Sequence, residues 1–194
     1  MGRKLEFSRE KALHTAMESF WAHGYEQTSM RDLAEQLGLH LGSVYNALGD
    51  KEKVFEAALR LNFEEEVLPQ VRRLQEAPDA LKALANSITI VADECTGVTQ
   101  AHGCFLVNSL LEVAHINDNI TKLVHGYLKQ VEDIVTLTVE RAQKAGQIKP
   151  GRDARKLAQS IMAVKFNMRT LAKLKMPNEM IRNICDTALE ALAA

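Results

Sequence analysis

Glycine and proline are scarce in this chain, 10 and 4 among 194 residues. So few breakers leave room for little besides regular structure and argue against a loop-rich or collagen-like architecture. Cysteine is rarer still. Cys95, Cys104 and Cys185 are irregularly spaced, which fits neither a disulfide framework nor a zinc ribbon and points to a reducing cytosol. Long apolar runs are missing too: the longest, "CFLVNSLLEVA", is too short and too polar to span a bilayer. The first residues show no basic segment followed by an apolar one, so no secretory leader is expected and the protein is assigned to the cytoplasm. An excess of positive charge is lacking as well. The net charge is −1, and over residues 1–53 the bases Arg3, Lys4, Arg9, Lys11, Arg31, Lys51 and Lys53 are slightly outnumbered by Glu6, Glu10, Glu18, Glu26, Asp32, Glu35, Asp50 and Glu52. Any case for nucleic acid must come from geometry.

Helical periodicity is abundant. Leu13, Ala16, Met17, Phe20 and Trp21 follow the i, i+3, i+4, i+7, i+8 spacing of one buried stripe, between a Ser8 N-cap and a Gly24 stop. A short second helix starts at a Ser29/Asp32 capping box, places Leu33, Ala34 and Leu37 on one side and ends at Gly38. A third runs from about His40 to Leu48 and stops at Gly49; Asp50 caps a fourth, carrying Val54, Phe55, Ala58 and Leu61. The pattern changes over Pro69 to Pro78. Longer helices are then predicted over roughly 79–95, 104–114, 118–145, 153–174 and 178–193. No strand pattern, repeat or low-complexity tract is present, and the fold class is all-α.

The stretch "GLHLGSVYNALGDKEKVF" carries the functional signal. Two short helices joined by Gly-Leu-His form a helix-turn-helix, whose second helix enters the major groove of DNA. On that helix Val44 and Leu48 share a side and can pack on Leu33 and Leu37, whereas Gly42, Ser43 and Asn46 point the other way. Small and hydrogen-bonding residues suit close approach to base edges and phosphates. Gly42 costs helix propensity, which close contact with a duplex would explain. The Tyr45 hydroxyl is placed to reach a phosphate. Lys51, in the first turn of the next helix, joins an ammonium to free backbone N–H groups, a phosphate clamp.

Residues 19–55, "SFWAHGYEQTSMRDLAEQLGLHLGSVYNALGDKEKVF", resemble the DNA-binding domain of TetR-type transcriptional regulators. They share its Phe-x-x-x-Gly-Tyr turn, its Thr-Ser-x-Arg-Asp-Leu-Ala second helix, its Gly-Ser-x-Tyr recognition helix and its Lys-Glu start of the fourth. "HGCFLVNSLLEVA" and "AGQIKP" resemble more loosely the Gly-Cys-Leu-x-x-Asn segment and the linker before the family's dimerisation helices. The resemblance implies that Arg31, Leu41, Gly42, Ser43, Tyr45, Asn46 and Lys51 contact DNA, with Thr28 and Ser29 at a phosphate-binding helix start. This sequence departs from the pattern at His40, usually a Ser or Thr cap, at Leu41, usually polar, and at Leu48, usually Phe. His40 stays in the DNA-binding set by position, and Leu41 either reads a thymine methyl or belongs to the core. The implied division is 1–53 for DNA binding and 54–194 for effector binding and dimerisation.

The resemblance further implies a homodimer on a near-palindromic operator, and the sequence agrees. Leu157, Ile161, Val164, Met168 and Leu171 form one apolar line, and Ile181, Ile184 and Ala188 exceed what a single core face needs, so two helices from each subunit can build a four-helix interface. A small effector is expected in the larger domain, with Phe63, Cys95, His102, Cys104, Phe105, Asn108 and Tyr127 as candidate contacts; Phe105 serves equally well as core. No cofactor or metal is called for, since His102, Cys104, His115 and His125 lack recognised ligand spacing. Three alternatives stand beside the ligand-responsive repressor. Cys104, in "HGC" at a helix start beside His102, suits a redox or electrophile sensor. The same pair suits a nucleophile and base, although no third group positions them, so an enzyme is not expected. The acidic balance of residues 1–53 suits a helical interaction protein without DNA affinity.

Overall fold

The computed structural model describes residues 8–97 and 102–193. Ser8 opens α1 (Arg9–His23) by accepting a hydrogen bond from Lys11 N, and Gly24, at φ 89°, closes it by donating to Phe20 O. The Ser29/Asp32 capping box forms in full at the head of α2 (Met30–Leu37), and Gly38 ends that helix in the left-handed conformation. Next come α3 (Leu41–Leu48) and α4 (Lys51–Asn62), the latter capped by Asp50. A π-helical turn, Phe63–Val67, leads into α5 (Leu68–Glu76). The remaining elements are α6 (Ala80–Thr96), α7 (Phe105–Val113), α8 (Asp118–Lys144), α9 (Ala154–Lys173) and α10 (Asn178–Ala193). Among the described residues there is no strand, and no helix is long and apolar enough to cross a membrane.

The helix α5 corrects the sequence reading, which placed only a change of pattern at Pro69–Pro78. Pro69 stands in the first turn of α5, directly behind the π-helical turn Phe63–Val67, where the helical hydrogen-bond ladder is already interrupted and can take a residue without an N–H. A proline at a helix start is locally indistinguishable from one in a linker.

The chain divides into two compact units, residues 1–66 with 105–124 and residues 67–104 with 125–194. In the first, α1 packs on α4, α2 and α3, and α4 also meets α7. Its centre is aromatic. Phe20 and Phe55 meet edge to face at 4.9 Å between centroids, Tyr25 lies 4.7 Å from Phe55, and Phe105 of α7 meets Phe55 at 5.9 Å and Trp21 at 6.1 Å. Each such pair adds about 0.5–1.5 kcal/mol beyond burial of its area. In the second unit α6 packs on α9 and α10, around Leu84, Ile88, Val139, Met168 and Ile181.

Candidate nucleic-acid interface

The expected two-sided character of α3 is present. Val44 and Leu48 are buried, fixing the helix to its own unit, and Leu48 closes its site although smaller than phenylalanine. Gly42, Ser43, Tyr45 and Asn46 are exposed, Tyr45 to 47%. Among the described residues the side chains of Ser43, Tyr45 and Asn46 make no hydrogen bond, so this face holds polar groups that the protomer does not use. Arg31, exposed in the first turn of α2, is likewise unengaged. Leu41 is half-buried.

Two features make the start of α3 accessible to another molecule's backbone. His40 takes the N-cap conformation but its side chain gives no capping hydrogen bond; Ser43 N donates to the His40 backbone oxygen at 2.9 Å, and no side chain covers the helix start. A Cβ built on Gly42 would meet no atom within 4 Å, so nothing in the protomer requires glycine there. Gly42 thus costs about 1 kcal/mol of helix propensity that no internal crowding requires.

The flanking residues are tied down. Lys51 donates from Nζ to Glu26 O at 3.4 Å and lies 4.4 Å from the centroid of the Tyr25 ring, which holds the ammonium against the loop between α1 and α2. An ammonium has three donors, so one contact leaves capacity for a phosphate. Burial, reinforced by Glu52, Glu26 and Asp50, raises the pKa of Tyr25, so its ring is a neutral platform for the lysine. Ser29 is exposed and committed to the capping box, donating from N to Asp32 Oδ2 at 2.8 Å and accepting from Asp32 N at 3.1 Å. Thr28 is buried, and its hydroxyl donates to Gly24 O at 2.8 Å. Thr28 thus spends its hydroxyl proton on closing the α1–α2 loop.

Sequence reasoning missed Glu112. This α7 residue accepts the Tyr25 N–H at Oε2 over 2.6 Å, and a Cβ on Gly24 would collide with its carboxylate. Gly24 thus has two reasons to be glycine, its positive φ and this close approach. No local signal could have paired residues so far apart in sequence.

The effector candidates divide between the two units, with Phe63, Phe105 and Asn108 in the first and Cys95, His102, Cys104 and Tyr127 in the second. Phe63, Phe105 and Tyr127 are buried, whereas Cys95, His102, Cys104 and Asn108 are half-buried. Phe105 is core, shared with Phe55 and Trp21. Burial pushes the Cys95 thiol above its usual pKa. The dimer candidates also divide. Ile161, Met168 and Ile181 are buried in the protomer's own core, a correction to their expected place on a partner-facing surface. A helical wheel shows an apolar line but not which side the protomer already fills. Leu157, Val164, Leu171, Ile184 and Ala188 are half-buried.

Residues 12–58 match the family model of bacterial regulatory proteins of the tetR family, and residues 77–188 match that of the tetracyclin repressor-like C-terminal domain. The chain is 27% identical over 194 residues to the uncharacterized HTH-type transcriptional regulator YezE of Bacillus subtilis, covering 99% of this chain and 100% of the relative. It is 28% identical over 189 residues to the HTH-type transcriptional repressor ComR of Escherichia coli, covering 97% and 90%. Among solved structures, a cysteine mutant of the TetR family transcriptional regulator CifR, complexed with 26bp double-strand operator DNA, matches with a TM-score of 0.85 and 25% identity over 98% of this chain and 99% of that one. A putative TetR transcriptional regulator from Rhodococcus sp. RHA1 matches with a TM-score of 0.61 and 30% identity over 95% and 98%.

Proposed function

The chain belongs to the TetR family of bacterial DNA-binding transcriptional regulators, and we propose that it is a homodimeric repressor whose hold on a near-palindromic operator is set by a small effector. The carrying observation is the outward face of α3, where Ser43, Tyr45 and Asn46 are unspent around a glycine that the protomer does not need. In this reading α3 lies in the major groove. Asn46 and Arg31 read base edges, Gly42 admits the duplex backbone, and Tyr45, Ser43, Ser29 and Lys51 hold phosphates. His40 and Leu41 border the groove at the helix start. Repression is supported by the repressor function of the E. coli relative, and operator binding by the duplex bound to CifR.

Dimerisation is assigned to α9 and α10, where Val164, Met180, Ile184 and Ala188 line a shallow apolar depression. Met176 and Met180 are exposed large apolar side chains on and beside it, as an uncovered interface would leave them. Two copies joined there would present two α3 helices to half-sites about one helical turn apart. We keep 1–53 and 54–194 as the functional division. The signal between them is carried by α7, whose Phe105 sits against Phe55 and Trp21 and whose Glu112 holds Tyr25 N. An effector that displaces α7 disturbs the loop on which Lys51 rests.

The test is to incubate the protein with sheared DNA from its source organism, recover the bound fragments at moderate salt and sequence them. Enrichment of a near-palindromic site is expected; no enrichment at any salt contradicts the reading and favours an interaction protein. A second reading, sensing through Cys104, is supported by the free, half-buried thiol directly before the head of α7. Mild oxidation would then release operator DNA from the native protein and not from Cys104→Ser. Equal release from both contradicts it.

A further inference from the structure

In the second unit a cavity of about 500 Å³ is bounded by α5, α6 and Lys165 of α9. Its size is that of a small-molecule site. Val71, Leu74, Ala83 and Ile90 give it apolar walls. Three cations border it, Arg73, Lys82 and Lys165, and among the described residues none of their side chains makes a hydrogen bond or ion pair. The two carboxylates on the same walls are committed elsewhere. Asp79 accepts from Lys82 N at the head of α6 and from Gln147 Nε2, both at 2.9 Å. Glu94 is held by Arg169 at 2.7 Å.

Lys165 is the least exposed of the three cations. Burial, helped by the neighbouring Arg169, lowers its pKa to about 8, with Glu94 and Cys104 acting in the opposite direction. A charge taken out of water without a counter-ion is costly, and proteins ordinarily pair it. Here Glu94, the carboxylate that acts on Lys165, is already held by Arg169, whereas the cavity supplies space for a further anion beside apolar walls. We infer that this cavity binds an amphipathic monocarboxylate, with the carboxylate on Lys165 and the apolar body against Val71, Leu74 and Ile90. Arg73 and Lys82, exposed at the rim, draw the anion in. The inference rests on the regulator reading only for its consequence: α5 follows the π-helical turn from the helix that carries Lys51, so an occupant against α5 changes operator affinity.

The site is tested on the full chain by calorimetric titration with octanoate and with neutral octanamide at pH 7. Octanoate should bind at least tenfold more tightly, and the preference should vanish in Lys165→Met. Lys165→Gln repeats the test if the methionine variant fails to fold. The groups facing the amine are Arg73 on α5, Asp79, Lys82 and Glu94 at and on α6, Arg169 on α9, and Cys104. A Cys104→Ser background therefore removes the thiol and leaves the amine. In it, octanoate affinity should fall as pH rises through about 8, because the neutral amine must first take up a proton, while octanamide affinity stays level. Equal binding of both ligands to the native protein, or a preference that survives both substitutions, overturns the site. Operator affinity read on the same samples separates the claims. Octanoate binding without any change in DNA affinity overturns the consequence alone, whereas absence of operator binding in ligand-free protein overturns the regulator reading and leaves the site standing.

Discussion

At the scale of single residues, the outward side chains of α3 and the start of α4 have separable duties. Asn46 is exposed on the outward face of α3, and among the described residues its side chain makes no hydrogen bond. Asn46→Ala should relax preference at particular base pairs by about 1–3 kcal/mol, read by competition among single-base operator variants. Lys51 is proposed to contact a DNA phosphate, so Lys51→Ala should weaken every sequence alike and reduce the salt slope of log K by about one unit. A uniform loss from Asn46→Ala would reassign that residue to backbone positioning. Asp32 supplies a pH dependence. Its hydrogen bonds with Ser29, side chain first and backbone second, hold its carboxyl below the usual pKa. A depressed pKa contributes stability above the unfolded-state value and loses it as pH falls through the folded one. Acid should therefore loosen the head of α2, and Asp32→Asn should flatten that part of the unfolding-against-pH curve.

At the scale of elements, α7 meets α1, the α1–α2 loop and α4 through the Glu112–Tyr25 hydrogen bond and the aromatic cluster of Phe105, Phe55 and Trp21. Glu112→Gln keeps the shape and removes the charge assisting the Tyr25 N–H bond, so it should weaken operator binding severalfold while costing stability only about 1 kcal/mol. Phe55→Ala, which opens the centre of the cluster, should cost about 3–5 kcal/mol in a thermal or denaturant melt. The helices themselves were legible because their signals are local: Ser8, the Ser29/Asp32 box, Gly38 and Asp50 cap as their sequence positions imply. The two faces of α3 were legible for the same reason. What escaped depends on non-local packing. The pairing of Glu112 with Tyr25 spans more than a domain's worth of local pattern, Pro69 looks alike at a helix start and in a linker, and a wheel could not tell that Met168 and Ile181 are buried within one protomer. Lys165 gave no sequence signal, since a lysine in an apolar helix reads as a solvated side chain.

At the scale of the whole molecule, the proposed dimer makes its own prediction. Met180 is exposed on the depression of α9 and α10, so Met180→Glu should leave the protomer folded, produce monomers in sedimentation and lower operator affinity by at least a hundredfold. A stable dimer with unchanged affinity would move the interface elsewhere. In the proposed complex α3 lies against a duplex, and Gly42 probes that contact without disturbing the fold. The decisive measurement is the affinity of Gly42→Ala for the recovered operator, paired with its thermal midpoint. Room for a methyl group and better helix propensity predict a protein as stable as the native one or more so. Close approach of DNA predicts at least tenfold weaker binding. Unchanged affinity in an equally stable variant would mean that nothing packs against the start of α3, and the account would fail.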